Sequence, residues 1–330
     1  MSVLDALPQH ASVVVIRLRS LGDTVLTTPA LRLLKAERPD IRVSVVLDEV
    51  FAPLLEGLPE VDDLIRTSRG HRTKTIREIR KQRPDLCLNL HGGTSSAWMT
   101  ALSGAKHRAG FAHFALGRVY NIKIPRAQEI LNLDEEAPVH TAQHLASAMF
   151  HLGVPHGKIP AAQLSAEPLR RERPYAVLHI AAAYTTKQWP VERFRTLAQY
   201  IDNHHNLEPV LIAGPGQDDL LAEFEEFTTM PGLDITSLKS LMAGANLFVG
   251  NDSGPAHIAA AFGKPCVVIF GSSNSTTWGP WGTRSEVVET AWDCKPCPGD
   301  RCYAFDEPRC ILSVDELAVR QAVDRLLEQS

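Results

Sequence analysis

An excess of either charge is missing from this sequence: 34 Lys and Arg stand against 38 Asp and Glu, a formal net charge of −4 over 330 residues. General affinity for polyanions is thereby excluded and nucleic acid is not an expected partner, so any anion must be met by a local patch. Long hydrophobic runs are also missing, and the opening Met-Ser-Val-Leu-Asp-Ala-Leu-Pro-Gln-His has neither the basic nor the apolar part of an export signal. The expectation is a cytoplasmic protein, with peripheral contact at the inner face of the cytoplasmic membrane. Six cysteines without an export signal disfavour a disulfide framework. The loop after the first apolar strand carries no G-x-G-x-x-G. Gly214-Pro-Gly216 is a lone G-x-G with Asp219 where a third glycine would be needed, so a dehydrogenase-type dinucleotide site is poorly supported.

What is present is a repeated α/β pattern, 44% hydrophobic, with enough chain for two cores. In the first half, strands are expected at Val13 to Leu18, Arg42 to Leu47, Asp63 to Ile65, Leu86 to Leu90 and His107 to Phe111. Helices are expected at Thr24 to Glu37, Ala52 to Leu58, Thr73 to Arg83, Ser95 to Ser103 and Thr141 to Leu152. Pro29 implies a kink, or a helix that begins there with Thr28 as cap. The proline-rich stretch Val154 to Pro174 reads as the linker, dividing the chain into 1–160 and 161–330. The pattern then restarts, with strands at Tyr175 to Ile180, Pro209 to Ala213, Leu247 to Val249, Cys266 to Phe270 and Glu286 to Glu289. Helices are expected at Val191 to Asn203, Gln217 to Phe227, Ser237 to Ala243, Ala256 to Phe262 and Val314 to Leu327. Two doubly wound α/β domains facing each other are the predicted architecture.

The chain is organised around Phe248 to Phe262, where an apolar run stops at Gly250, Asn251 to Ser253 turn, and Pro255 suits a first helical position. Such a turn aims the amides of Ser253 and Gly254, at the positive end of a helix, toward an anion. An ordinary capped helix is the bland alternative. Thr185, Thr186 and Lys187 follow the first strand of the second half and offer two hydroxyls and an ammonium suited to a diphosphate. Asp23 follows the first strand of the chain, where open α/β sheets place their ligand crevice, with Gly22 beside it to admit a substrate. It suits a general base, or simply a helix cap. Between Arg66 and Arg83 eight basic residues stand against Glu78 alone. A solvated face is the default, and Arg69 and Arg72 in the loop are candidates to dock an acidic acceptor or an anionic membrane surface. Cys294, Cys297, Cys302 and Cys310 form C-x2-C-x4-C-x7-C, which fits a structural zinc or iron site, two disulfides, or four free thiols.

With these residues in view the chain resembles glycosyltransferase family 9, the ADP-heptose:lipopolysaccharide heptosyltransferases. Three motifs in this order carry the resemblance: Arg17 to Leu31, Thr186-Lys-Gln-Trp-Pro190, and Gly250-Asn-Asp-Ser-Gly-Pro-Ala-His257. It implies a GT-B fold with the active site between two Rossmann-like halves, and an inverting enzyme with no catalytic metal. It further implies an ADP-sugar donor and an anionic glycolipid acceptor of the lipopolysaccharide-core type. Asp23 is then the catalytic base; Thr185, Thr186 and Lys187 hold the donor diphosphate; Asp252 meets donor-sugar hydroxyls; and Ser253, Gly254 and His257 complete the donor side. The four-cysteine loop resembles one found in a subset of the family. Ala181-Ala-Ala-Tyr184 departs from the small Pro-Gly type of turn common before the Thr-Thr-Lys. A nucleotide-sugar epimerase of the same fold and a non-catalytic nucleotide-sugar binder are the alternatives.

Overall fold

The computed structural model describes residues 2–328 and divides into two units, Met1–Ser165 and Ala166–Ser330. In the first unit the order is β1 (Ser12–Ile16), α1 (Leu21–Val25), α2 (Thr28–Glu37), β2 (Arg42–Asp48), α3 (Ala52–Leu55), β3 (Asp63–Thr67), α4 (Arg72–Lys81) and β4 (Leu86–Asn89). It continues with α5 (Thr94–Ala101), β5 (His107–Phe111), β6 (Ile122–Ile124), α6 (Ala127–Leu131) and α7 (Thr141–Leu152). All six strands are parallel, in the order β3-β2-β1-β4-β5-β6. β1 sits at the centre because Val13 to Ile16 are wholly buried on both faces, as a parallel strand covered by helices requires. Pro29 does not kink one long helix. It lies at the start of α2, where Thr27 holds the N-cap position without a side-chain capping bond, and α1 is a separate short helix.

In the second unit the order is β7 (Tyr175–His179), α8 (Val191–His205), β8 (Glu208–Ile212), β9 (Thr228–Thr229), α9 (Ile235–Gly244), β10 (Leu247–Asn251) and α10 (Gly254–Ala261). β11 (Cys266–Phe270), α11 (Ser275–Trp278), β12 (Ser285–Glu289), α12 (Arg309–Leu312) and α13 (Glu316–Glu328) complete it. Its sheet is again parallel, in the order β12-β11-β10-β7-β8-β9. Numbered from its own first strand, this is the same Rossmann order as in the first unit. The helix expected at Gln217 to Phe227 is instead a 3-10 helix over Asp218–Glu223. Its buried anchors, Leu221 and Phe224, are three residues apart, which suits three residues per turn and offers an α-helix no further apolar stripe. β6, β9 and α6 were not expected; each is short and β9 has only two residues.

The topology dictates where loops converge. In each sheet the strand order reverses between the first and fourth strands, β1 and β4 or β7 and β10, and the loops leaving those carboxyl ends diverge to form a crevice. The core below fixes them. Trp189, Phe194, Leu178, Val249 and Ile269 share one buried cluster in the second unit, and full burial of each such side chain is worth about 1.5–3 kcal/mol.

Candidate functional site

At the reversal point of the first sheet the chain leaves β1 through Arg17, whose amide continues the ladder to the Val46 carbonyl at 2.9 Å. Arg17 is buried, and its side chain pairs with Asp23 and donates to the carbonyl of Leu90 beyond β4. Burial pulls its pKa below the ordinary arginine value, against the raising effect of Asp23. Asp23 is the third residue of α1, and its other oxygen accepts from the Ser20 amide at 3.1 Å and the Ser20 hydroxyl at 2.9 Å. The capping arrangement and the crevice position therefore coincide in one side chain. A carboxylate held this way is fixed in orientation and keeps lone pairs for a further donor. Gly22 is buried in the same short helix.

His91 leaves β4 directly opposite. Its amide and that of Gly92 donate to Asn89 Oδ1 at 2.9 and 3.2 Å, while Asn89 Nδ2 donates to Ser96 and to Tyr120 at 3.1 and 2.7 Å. The imidazole bonds to the Arg19 backbone, and burial together with Arg17 and Arg19 pushes its pKa down to about 4, so it is neutral at physiological pH. Arg19, Arg69, Arg72 and His91 line one cleft of about 550 Å³ with Thr94 and Ser95. Arg69 and Arg72 are thus brought to the sheet's carboxyl edge, although Asp23 is not in this cleft's wall.

At the second reversal point the ammonium of Lys187 lies 2.8 Å from Asp252, which is 7% exposed. Asn251, at the end of β10, frames this approach: its Oδ1 accepts from the Trp189 amide at 2.9 Å and its Nδ2 donates to the Ala181 carbonyl at 3.2 Å. The loop 181–189 is therefore tied at both ends to β10. Ser253 caps α10 and lies 3.0 Å, hydroxyl to Nδ1, from His179, whose complete burial pushes its pKa down to about 4. His257 is buried one turn into α10. Thr185 is exposed. Thr186 is not: it is 1% exposed and donates its hydroxyl to the Gly299 carbonyl, so the hydroxyl expected on a diphosphate is committed elsewhere.

Gly299 belongs to the cysteine loop, which the structure binds to the Lys187 turn. Ser272 donates its hydroxyl to Thr186 at 3.1 Å and its amide to the Thr186 carbonyl at 3.2 Å, and its own carbonyl accepts from the Cys297 amide at 3.1 Å. Cys294, Cys297, Cys302 and Cys310 line a common cavity of about 250 Å³ with Thr186 and Ser272. The thiols are free, and among the described residues no three His, Cys, Asp or Glu side chains are grouped to hold a metal ion. This corrects the four-sulfur cage suggested by spacing. Cys310 is buried in α12 while Cys294 is exposed.

Arg17, His91, His179 and Asn251 were missed from the sequence. The available signal was a polar residue at the carboxyl end of each central strand, which a fully apolar core strand has no reason to carry.

Comparison with known proteins identifies the class to which this fold belongs. The model of glycosyltransferase family 9 (heptosyltransferase) matches residues 72–304, and the chain belongs to this family. Lipopolysaccharide heptosyltransferase 3 of Escherichia coli is 28% identical, over 94% of this chain and 97% of that protein. Among solved structures, a family 9 glycosyltransferase from Veillonella parvula DSM 2008 superposes with a TM-score of 0.81 at 23% identity, over 98% of both chains. E. coli ADP-heptose lps heptosyltransferase II does so with 0.79 at 22%, over 96% of this chain and 99% of that one. The fold is the GT-B fold of these enzymes, and the protein is a glycosyltransferase.

Proposed function

We propose that the chain transfers a heptose or similar sugar from an ADP-sugar to a lipopolysaccharide-core or related anionic acceptor, with inversion at the anomeric carbon. The observation that carries this reading is the Lys187–Asp252 pair beside the α10 N-terminus, a cation and helix amides gathered where a diphosphate must leave. Asp23 takes the proton from the acceptor hydroxyl as that oxygen attacks C1, and the donor's glycosidic C–O bond to phosphate breaks. Arg17 and Ser20 hold Asp23 oriented. Lys187, Thr185 and the Ser253 and Gly254 amides receive the charge that grows on the leaving ADP. Asp252, released from Lys187, meets donor hydroxyls, and His257 packs beneath them. Thr186 positions the turn rather than touching phosphate.

In this reading the first unit takes the acceptor, with Arg69, Arg72 and Arg19 around anionic groups, and the second takes the donor. No step is routed through a metal ion. The names of the relatives supply the ADP-heptose and lipopolysaccharide parts of the proposal. Purified protein incubated with ADP-, GDP- and UDP-sugars, with and without a delipidated core acceptor, tests it. ADP should be released only when acceptor is added. Conversion of the donor sugar without acceptor would instead identify an epimerase, and binding without turnover a non-catalytic protein.

A further inference from the structure

α4 and α5 pack side by side over Ile79 and Met99 in the first unit, and their outer faces differ in chemistry. α4 exposes Arg77, Arg80 and Lys81; its only acid, Glu78, is paired with Lys81 at 2.8 Å. α5 carries no charged residue, and Trp98 and Leu102, one turn apart, are 50% and 47% exposed. Exposed apolar residues are normal singly, but here two share one stripe of an uncharged helix beside a basic one. The two faces adjoin: Arg80 Nε lies 3.8 Å from where a side chain on Gly104, just past α5, would begin. At the other end of the helices, Arg72, Thr94, Ser95 and Met99 enter the wall of the cleft assigned above to the acceptor.

We propose that α4 and α5 form a membrane-docking face, with Trp98 and Leu102 entering the headgroup boundary of an anionic bilayer. Arg77, Arg80 and Lys81 lie on the lipid phosphates. Amphipathic Trp beside Arg and Lys is the composition that boundary selects, and apolar insertion combined with basic charge gives firmer attachment than either alone. The inference rests on the proposed function in one respect: it brings the acceptor cleft to the surface in which a lipid-anchored acceptor is held. No helix among the described residues is long and apolar enough to cross a membrane, so attachment by this face would be peripheral.

The test is sedimentation of the full chain with phosphatidylcholine vesicles, with and without phosphatidylglycerol and containing no acceptor. Binding is expected only with phosphatidylglycerol, weakening with salt. Arg77→Gln and Arg80→Gln should each lower the partition coefficient about fivefold, the equivalent of one basic side chain at an anionic surface. Tryptophan emission should shift to the blue on vesicle binding, and Trp98→Phe should remove most of that shift. Trp98→Ser with Leu102→Ser should abolish binding at moderate salt while leaving the melting temperature and transfer to a delipidated acceptor unchanged. Binding equal on both vesicle types, no binding at all, or variants that bind like the wild type would overturn the proposal. If transfer to delipidated acceptor fails in the wild type, the functional reading falls while the vesicle result still decides this one.

Discussion

Lys187 and Asp252, 65 residues apart in sequence, form an ion pair of 2.8 Å at the reversal point of the second sheet. In the proposed reaction a donor diphosphate would draw Lys187 from a carboxylate that is nearly buried, and that carboxylate would repel the phosphate once its cation is gone. Lys187→Ala is expected to weaken ADP binding about 10- to 100-fold, the worth of one charge-assisted hydrogen bond. Lys187→Ala with Asp252→Ala should bind ADP better than Lys187→Ala alone, because the repulsive partner is removed as well. Calorimetric titration of the single and double variants checks this, and additive losses would mean that the two side chains do not share the phosphate.

Asp23→Asn keeps an oxygen for Ser20 but loses both the proton acceptor and the ion pair to Arg17. Transfer should fall about 100- to 10,000-fold, as for loss of a general base, while ADP affinity stays near that of the wild type. A modest fall in melting temperature is also expected, since Arg17 is left buried without its carboxylate. Near-normal turnover in this variant would reduce Asp23 to its capping role.

Arg69→Glu with Arg72→Glu should act on acceptor alone, because both side chains line the cleft of the first unit. The apparent KM for an anionic acceptor should rise at least about tenfold and lose much of its dependence on salt, with ADP binding untouched. Unchanged acceptor kinetics at low salt would return these residues to a solvated surface.

Most of the fold was legible because parallel strands buried on both faces are written as uninterrupted apolar runs such as Val13 to Ile16 and Cys266 to Phe270. The elements missed have no such run: β9 is two threonines at a sheet edge. Asp23, Lys187, Asp252 and Ser253 could be singled out as candidates because each lies in the turn or short helical segment that follows a strand. Arg17 and Asn251 stand out only as polar residues at strand ends; their bonds to Leu90 and to the 181–189 loop could not be read, since such partners are set by strand order rather than by spacing. The commitment of Thr186 to Gly299 was hidden for the same reason, being a contact across 113 residues.

That contact makes the cysteine loop a support for the Lys187 turn. Thr186→Val should leave the Gly299 carbonyl and the Ser272 hydroxyl without their partner, weakening ADP binding and raising the alkylation rate of Cys297. Gly271→Ala should do the same by a different route. A methyl there would lie 2.0 Å from the Thr186 carbonyl oxygen and displace the turn. Thiol labelling followed by mass spectrometry, with and without ADP, is the measurement. Wild-type labelling rates in both variants would show that loop and turn move independently.

Stability should fall with acid before the carboxylates are involved. His91, His144 and His179 have pKa values pushed down to about 4, burial being the largest cause in each. In the unfolded chain an imidazole protonates near about 6.5. As pH falls from about 6.5 toward 4 the unfolded state takes up protons that the native state refuses, so stability is complete above that window and declines through it. Carboxylates held low by arginines, such as Asp40 and Glu208, act in the same direction at lower pH: their contribution is present above the ordinary carboxylate range of about 4 and is lost as pH falls below it. His179 is the most buried of the three, and its contribution between pH 7 and 4.5 should be on the order of 1–3 kcal/mol. His179→Asn, which can still hydrogen-bond with Ser253 but cannot be protonated, should therefore flatten the dependence of the urea midpoint on pH over this window. A midpoint that falls equally steeply in wild type and variant would mean that His179 is charged in the native protein or that another group controls acid unfolding.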